Sequence, residues 1–190
     1  LYHPGDSGDF VFTVGRLDPL KRFDLLIRAM KHTETPVRCR IGGTGPDRDA
    51  LADLIARLDL QEKVELLGWL DDRDVIENYA NCPGVFYAPY DEDYGYVPVE
   101  AFKSAKPVIT TADAGGVLEF VEDGVNGFIG PPDSPRELGA RIDALYKDRE
   151  KARAMGEAGQ RRGGGGGWGG GGGGGGGGPG CHFIIPFESW

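Results

Sequence analysis

A chain of 190 residues, of which about 160 lie outside a glycine-rich end, suits one domain with a sizeable core and requires no second. Its 30 acidic and 21 basic residues give a net charge of -9 and a pI near 4.8, which argues against general nucleic-acid or anionic-membrane binding, so any anion site must be a local pocket. Cys39, Cys82 and Cys181 are odd in number, widely spaced and unlike any zinc pattern, which suits a reducing, cytoplasmic compartment with Cys39 and Cys82 in or near the core.

No apolar run approaches the length of a membrane span, and residues 1–9 lack the regions of a signal peptide. A start at Leu1 without an initiator Met suggests a fragment.

Phe10 to Val14 reads as a buried strand ended by Gly15. A helix is expected over Leu20 to His32, because Phe23, Leu26, Ile27 and Met30 share one face, and Pro19 stands near its start. The loop between them carries Arg16, and Lys21 flanks it, at the carboxyl end of the first strand, where open parallel sheets bind ligands. Val37 to Ile41 is a second strand, followed by the turn Gly42-Gly43-Thr44-Gly45-Pro46 and a helix from about Asp47 to Leu58. That turn fails the G-x-G-x-x-G pattern: counting from Gly43 and Gly45 the third position is Arg48, and Pro46 interrupts it, so no nicotinamide cofactor is expected.

Lys63 to Leu67 is a third strand, turning at Gly68-Trp69-Leu70 into a helix from Asp71 to Asn81 that Asp71 can cap. Gly84 to Pro89 and Pro107 to Thr110 are the fourth and fifth strands, and Val117 to Val121 is a short helix carrying Glu119. Gly127 to Gly130 makes a sixth strand, after which Ser134, with Glu137 three residues on, starts a helix to about Tyr146. Short strands alternating with helices specify an α/β fold, a doubly wound parallel six-stranded Rossmann-like sheet. Residues 1–162 form that domain. Residues 163–190 are a glycine-rich tail, flexible as written, whose glycines we read as standing for residues of unassigned identity around Trp168.

The fourth strand delivers the most informative stretch, Asp91 to Gly116. Glu92 falls in a loop before Gly95 and Glu100 falls inside the following helix, after Pro98, whose missing N–H is harmless in a first turn. The amides of Gly95, Tyr96 and Val97 form the positive end of that helix, a ready phosphate site. Solvated surface acids are the plain alternative for either glutamate alone.

Taken together, this stretch resembles the Glu-x7-Glu motif of the group 1 (family 4) retaining glycosyltransferases, with its aromatic-Gly step, helix and Lys-Pro-Val-Ile strand. The segment Gly15-Arg16-Leu17-x-Pro-x-Lys21-Arg22 resembles that family's donor-diphosphate contact, and the resemblance covers roughly residues 9 to 162. It implies one half of a GT-B fold, the donor-binding domain, with acceptor binding in an N-terminal half that this chain lacks. Such a fragment would bind donor and transfer sugar poorly alone, and the full protein could associate peripherally with the cytoplasmic membrane face.

The resemblance assigns Arg16 and Lys21 to the leaving diphosphate, with the amides of Tyr96 and Val97 alongside, and requires no metal. It places Glu100 on the ribose hydroxyls and Glu92 on the donor sugar, as a positioning and electrostatic group or as a nucleophile, of which the first is expected. Gly43 would belong to the wall of the nucleotide cleft, Gly68, Trp69 and Leu70 would meet the base mostly through backbone, and Tyr94 would help shape sugar choice. Trp69 and Tyr94 also fit simple packing. The sequence departs from the family pattern at Asp93, where Gly is common, and at Pro98, one position from the usual Pro. Three other readings stay open: a glycoside hydrolase whose acid and base would face each other at roughly 5 or 6.5–9.5 Å, a non-catalytic nucleotide-sugar binding module, and a GT-B-fold sugar-nucleotide epimerase.

Overall fold

Both faces of every central strand are buried, and the strands read as largely hydrophobic runs with a few buried threonines, as expected in a sheet covered on both sides. The computed structural model describes residues 2–5, 8–93 and 95–164. Its six strands are β1 (Phe10–Val14), β2 (Arg38–Gly42), β3 (Val64–Gly68), β4 (Val85–Phe86), β5 (Val108–Thr111) and β6 (Gly127–Gly130). All are parallel, in the order β3-β2-β1-β4-β5-β6. The order reverses direction between β1 and β4, and the carboxyl ends of these two strands therefore open a crevice that no crossover fills.

Successive strand residues feed two cores. Val11, Ile41, Phe86 and Ile109 pack under α1 (Phe23–Met30), α2 (Arg48–Arg57) and α5 (Pro135–Lys147). Phe10, Phe12, Val85 and Val108 pack under α3 (Asp72–Asn81) and α4 (Tyr96–Lys103). Cys39 and Cys82 are buried free thiols, and burial pushes the Cys82 thiol up to about 12. Cys181 and Trp168 lie outside the described residues.

The helix expected over Leu20 to His32 is broken. A 3-10 turn over Pro19–Lys21 is followed by Arg22 in the left-handed region (φ 51, ψ 44), and only then does α1 begin. Such a conformation costs a non-glycine residue about 1–2 kcal/mol and needs compensation from its surroundings. The fourth strand is also shorter than Gly84 to Pro89. Tyr87 still donates its N–H to Ile109 O (2.9 Å), but the carbonyls of Ala88 and Pro89 are taken by Arg22, and Pro89 has no N–H to extend a ladder.

A sixth helix, α6 (Arg149–Gly164), follows α5 and runs two residues past the expected boundary at 162. It is hard to see in the sequence because its buried side carries Ala152, Met155 and two glycines in place of an aliphatic stripe. A Cβ at Gly156 would collide with the Ala105 carbonyl, and one at Gly159 with the Phe102 ring, so α6 lies with its backbone directly against the end of α4. No helix among the described residues is long and apolar enough to cross a membrane.

Candidate functional site

The loops after β1, β4 and β5 build the site at the switch point. The first is stitched to the turn after β2: Gly15 N–H donates to Gly42 O (3.1 Å), Leu17 N–H to Thr44 O (2.9 Å) and Asp47 N–H to Leu17 O (2.9 Å). Gly43, at φ +122, allows this approach, since a Cβ there would strike the Gly15 carbonyl. The glycine turn thus supports the loop that carries Arg16. Asp18 then caps the 3-10 turn by accepting from the N–H of Leu20 (3.0 Å) and Lys21 (3.2 Å), which directs Lys21 across the switch point.

Lys21 Nζ meets Glu92 there, donating to Oε1 at 2.6 Å and Oε2 at 2.8 Å, and to Tyr87 Oη at 3.1 Å. Tyr87 donates its hydroxyl to Glu92 Oε2 at 2.5 Å. The Lys21 and Glu92 side chains are only 11% and 20% exposed, so this is a partly desolvated, charge-assisted cluster and not a surface ion pair. Burial, and then the hydrogen bond to Glu92, push the Tyr87 phenol well above its ordinary range and keep it a proton donor.

The Glu92 loop is tied to the turn after β5. Asp91 N–H donates to Asp113 O (3.0 Å), Glu92 N–H to Ala114 O (3.4 Å) and Gly116 N–H to Glu92 O (2.7 Å). Gly115 sits at φ +70, with space for no Cβ beside the Glu92 backbone. Asp113 is in turn gripped by Arg22, whose Nη1 reaches Oδ2 at 2.9 Å and whose Nη2 reaches Oδ1 at 2.8 Å. The same guanidinium donates to Ala88 O (2.8 Å), Pro89 O (2.9 Å) and Thr111 Oγ1 (2.7 Å), contacts able to offset the strained backbone at residue 22. The Arg22 guanidinium, with help from the Thr111 hydroxyl, holds the Asp113 carboxyl below the usual carboxylate range.

Glu100 stands apart from this cluster. On α4 it accepts the buried Tyr79 hydroxyl at Oε2 (3.0 Å). Burial raises its carboxyl above the usual range, and hydrogen bonds from Tyr2 and Tyr79 oppose that rise. Tyr2 packs edge-on against Tyr79, with ring centroids 6.0 Å apart.

The remaining expected residues are distributed around the same carboxyl-end face. Arg16 is half exposed, with Nε 4.0 Å from Asp18 Oδ2. Gly68, at φ +74, accepts the Gly43 N–H (2.7 Å), and Leu70 is buried beside Gly42. Trp69, just past the end of β3, is 62% exposed. Gly95 precedes α4 as its extended N-cap residue, Tyr96 is exposed and Val97 is buried. Tyr94 lies outside the described residues. Among the described residues no group of three or more His, Cys, Asp or Glu is arranged to hold a metal ion.

The structure therefore joins Lys21 to Glu92, and leaves Arg16 and Glu100 in separate surroundings. The sequence reading gave no role of their own to Arg22, Asp113, Tyr87 and Tyr79. Tyr87 could have been found, since strand alternation puts it on the α4 face with Val85. The pairing of Arg22 with Asp113, 91 residues apart, had no local signal.

A six-stranded parallel sheet of this order has the Rossmann-like fold of one half of a GT-B protein, the fold of its structural neighbours. The family model for glycosyl transferases group 1 matches residues 4–162, and the chain belongs to that family. It is 31% identical over 160 residues to an uncharacterized glycosyltransferase of Methanocaldococcus jannaschii, covering 84% of this chain and 44% of that protein. It is 32% identical over 178 residues to the D-inositol 3-phosphate glycosyltransferase of Kineococcus radiotolerans, covering 84% and 41%. Among solved structures, Anabaena HepE in complex with UDP superposes with a TM-score of 0.75 at 31% identity, covering 82% of this chain and 44% of that one. The chain thus spans less than half the length of these relatives.

Proposed function

We propose that this chain is the donor-binding domain of a retaining glycosyltransferase, transferring a sugar from a nucleotide-diphosphate sugar to an acceptor held by an N-terminal domain outside this chain. The observation that carries the reading is the Lys21–Glu92 contact at 2.6 Å across the sheet's switch point. UDP in the HepE complex makes a uridine nucleotide the first donor to test.

Breaking the glycosidic bond builds negative charge on the leaving diphosphate. Lys21 and Arg16 stabilise it as it forms, together with the amides at the start of α4, and such preorganised charge removes several kcal/mol of barrier. Lys21 already shares its protons with Glu92 and Tyr87, so a diphosphate oxygen exchanges for one of these partners without a long side-chain search. Glu92, held on the other side of Lys21, contacts the donor sugar's hydroxyls and positions the reacting carbon. Glu100 accepts from the ribose hydroxyls. The hydroxyls of Tyr79, at Oε2, and Tyr2 hold its carboxyl in place for them. The exposed rings of Trp69 and Tyr96 flank the same face and offer the base and sugar apolar walls. Donor binding needs no metal in this scheme.

Calorimetric titration with UDP, GDP and ADP in the presence of a chelator tests the reading. One nucleotide is expected to saturate the chain, and the double variant Arg16→Ala/Lys21→Ala to bind it at least about tenfold more weakly. No binding by any of the three, either to the chain or to a longer protein containing it, refutes the donor-domain reading.

A further inference from the structure

We propose that Arg22 and Asp113 form a positioning pair that sets the Lys21–Glu92 separation, a role that rests on the donor-site reading of those two residues. The contacts close into a ring. Lys21 is joined to Glu92 through side chains, Glu92 to Ala114 and Gly116 through backbone, Asp113 to Arg22 through a two-pronged ion pair, and Arg22 to Lys21 through one peptide bond.

The turn after β1 lies on one side of the switch point, and the paired loops after β4 and β5 lie on the other. The turn after β1 is also tied to the loop after β4 by Tyr90 N–H donating to Leu20 O (2.8 Å) and by Arg22 on the Ala88 and Pro89 carbonyls, but the Arg22–Asp113 link adds the loop after β5, whose backbone holds Glu92. The direct side-chain contact alone is a weak ruler, because a lysine has several rotatable bonds. A guanidinium fork fixed by two carbonyls, a hydroxyl and a carboxylate defines position and orientation together. The fork points into protein acceptors, so Arg22 acts through Lys21 and is not itself a ligand group.

The left-handed backbone at Arg22 supports the same assignment. A glycine would hold φ 51 without strain, and the arginine here supplies contacts that glycine lacks. Arg22→Gly therefore removes the pin and relieves strain at once, so overall stability is a poor indicator of its role. Position is the better one.

The test uses the full chain and two readouts. Hydrogen exchange is followed at the Glu92 and Gly116 amides, and UDP affinity is measured by calorimetry, for Arg22→Gly, Asp113→Asn and the double variant. Thr111→Val, which removes one of the fork's acceptors, serves as the mild variant should either of the others fail to fold. Each single variant is expected to exchange both amides about tenfold faster and to bind UDP about tenfold more weakly, with the double variant no worse than either. Arg22→Lys, which keeps charge but not the fork, should not restore either readout. Unchanged exchange at both amides, or losses that simply add in the double variant, overturns the pairing. Should neither the unaltered chain nor a longer protein containing it bind any of UDP, GDP and ADP, the donor reading fails by itself, and the exchange measurements still decide whether the pair positions Glu92.

Discussion

The Glu92 loop and the Glu100 segment of α4 stand eight positions apart and meet negative charge in opposite ways. At Glu92 a cation, a phenol and the backbone of the loop after β5 converge on one carboxylate. At Glu100 the close partners are the hydroxyls of Tyr79 and Tyr2, and burial disfavours the charged form. The first region is built to hold a charge in place. The second tolerates one that a ligand's hydroxyl groups would stabilise further. An acid paired with lysine resists displacement, whereas a buried acid held only by neutral hydroxyls gains from further donors.

The largest expected effect comes from breaking the first region. Lys21→Ala strands Glu92 with Tyr87 as its close donor. Removing one partner of a buried pair costs about 3–5 kcal/mol, so about 2–3 kcal/mol is expected for these slightly exposed side chains, read as a lower denaturation midpoint. A midpoint within experimental error of the parent would show that the contact is only a surface pair. Next comes Gly115→Ala, which forces a side chain against the Glu92 backbone at a positive φ. It should destabilise by about 2 kcal/mol and perturb the Glu92 amide resonance, while the Tyr79–Glu100 contact on α4 is unaffected. Spread of the perturbation to α4 would mean that the two regions are one unit.

Tyr87→Phe sharpens the contrast at smaller cost, about 1 kcal/mol, because Glu92 keeps Lys21. Last is a change of opposite sign. A carboxyl whose folded pKa is raised holds its proton better in the fold than in the unfolded chain, so stability falls as pH rises from about 4.3 through the folded value. Glu100→Gln should therefore melt slightly higher than the parent at pH 7, with the advantage shrinking below pH of about 4, while binding UDP more weakly. A variant less stable than the parent at pH 7 would place Glu100 in the same class as Glu92.

Much of this architecture was legible because both covered faces write themselves into the strands. Phe10 to Val14 and Gly127 to Gly130 appear as expected, and Asp71 and Ser134 cap the helices they precede by accepting from Asp74 and Glu137. The strand order was not legible at that level, since pairing depends on contacts far apart in sequence. Within the site, Lys21 and Glu92 were recognisable by type and neighbourhood, but their contact was not. A helix pattern running through Leu20 to His32 concealed the break at Arg22, because the cause of that break is the acceptor set on residues 88, 89, 111 and 113. Trp69 shows the reverse case: an aromatic residue, commonly packed, that here faces outward beside a buried Leu70.

The shortness of β4 has a consequence for how the molecule is assembled. It is two residues long and shares one register pair with β1, Phe12 with Val85, so the middle of the sheet is its narrowest seam. On one side lie β1, β2 and β3, joined by contiguous chain, and on the other β4, β5 and β6, likewise contiguous. Each side can pair its own strands at small loop-closure cost, whereas contacts between the two sides, α1 against α5 among them, close longer loops. Lys21 comes from the first side and Glu92 from the second. The ion pair they form thus belongs to the contacts of longest sequence reach, and a chain that has made all its helices but not that seam would have no site at all.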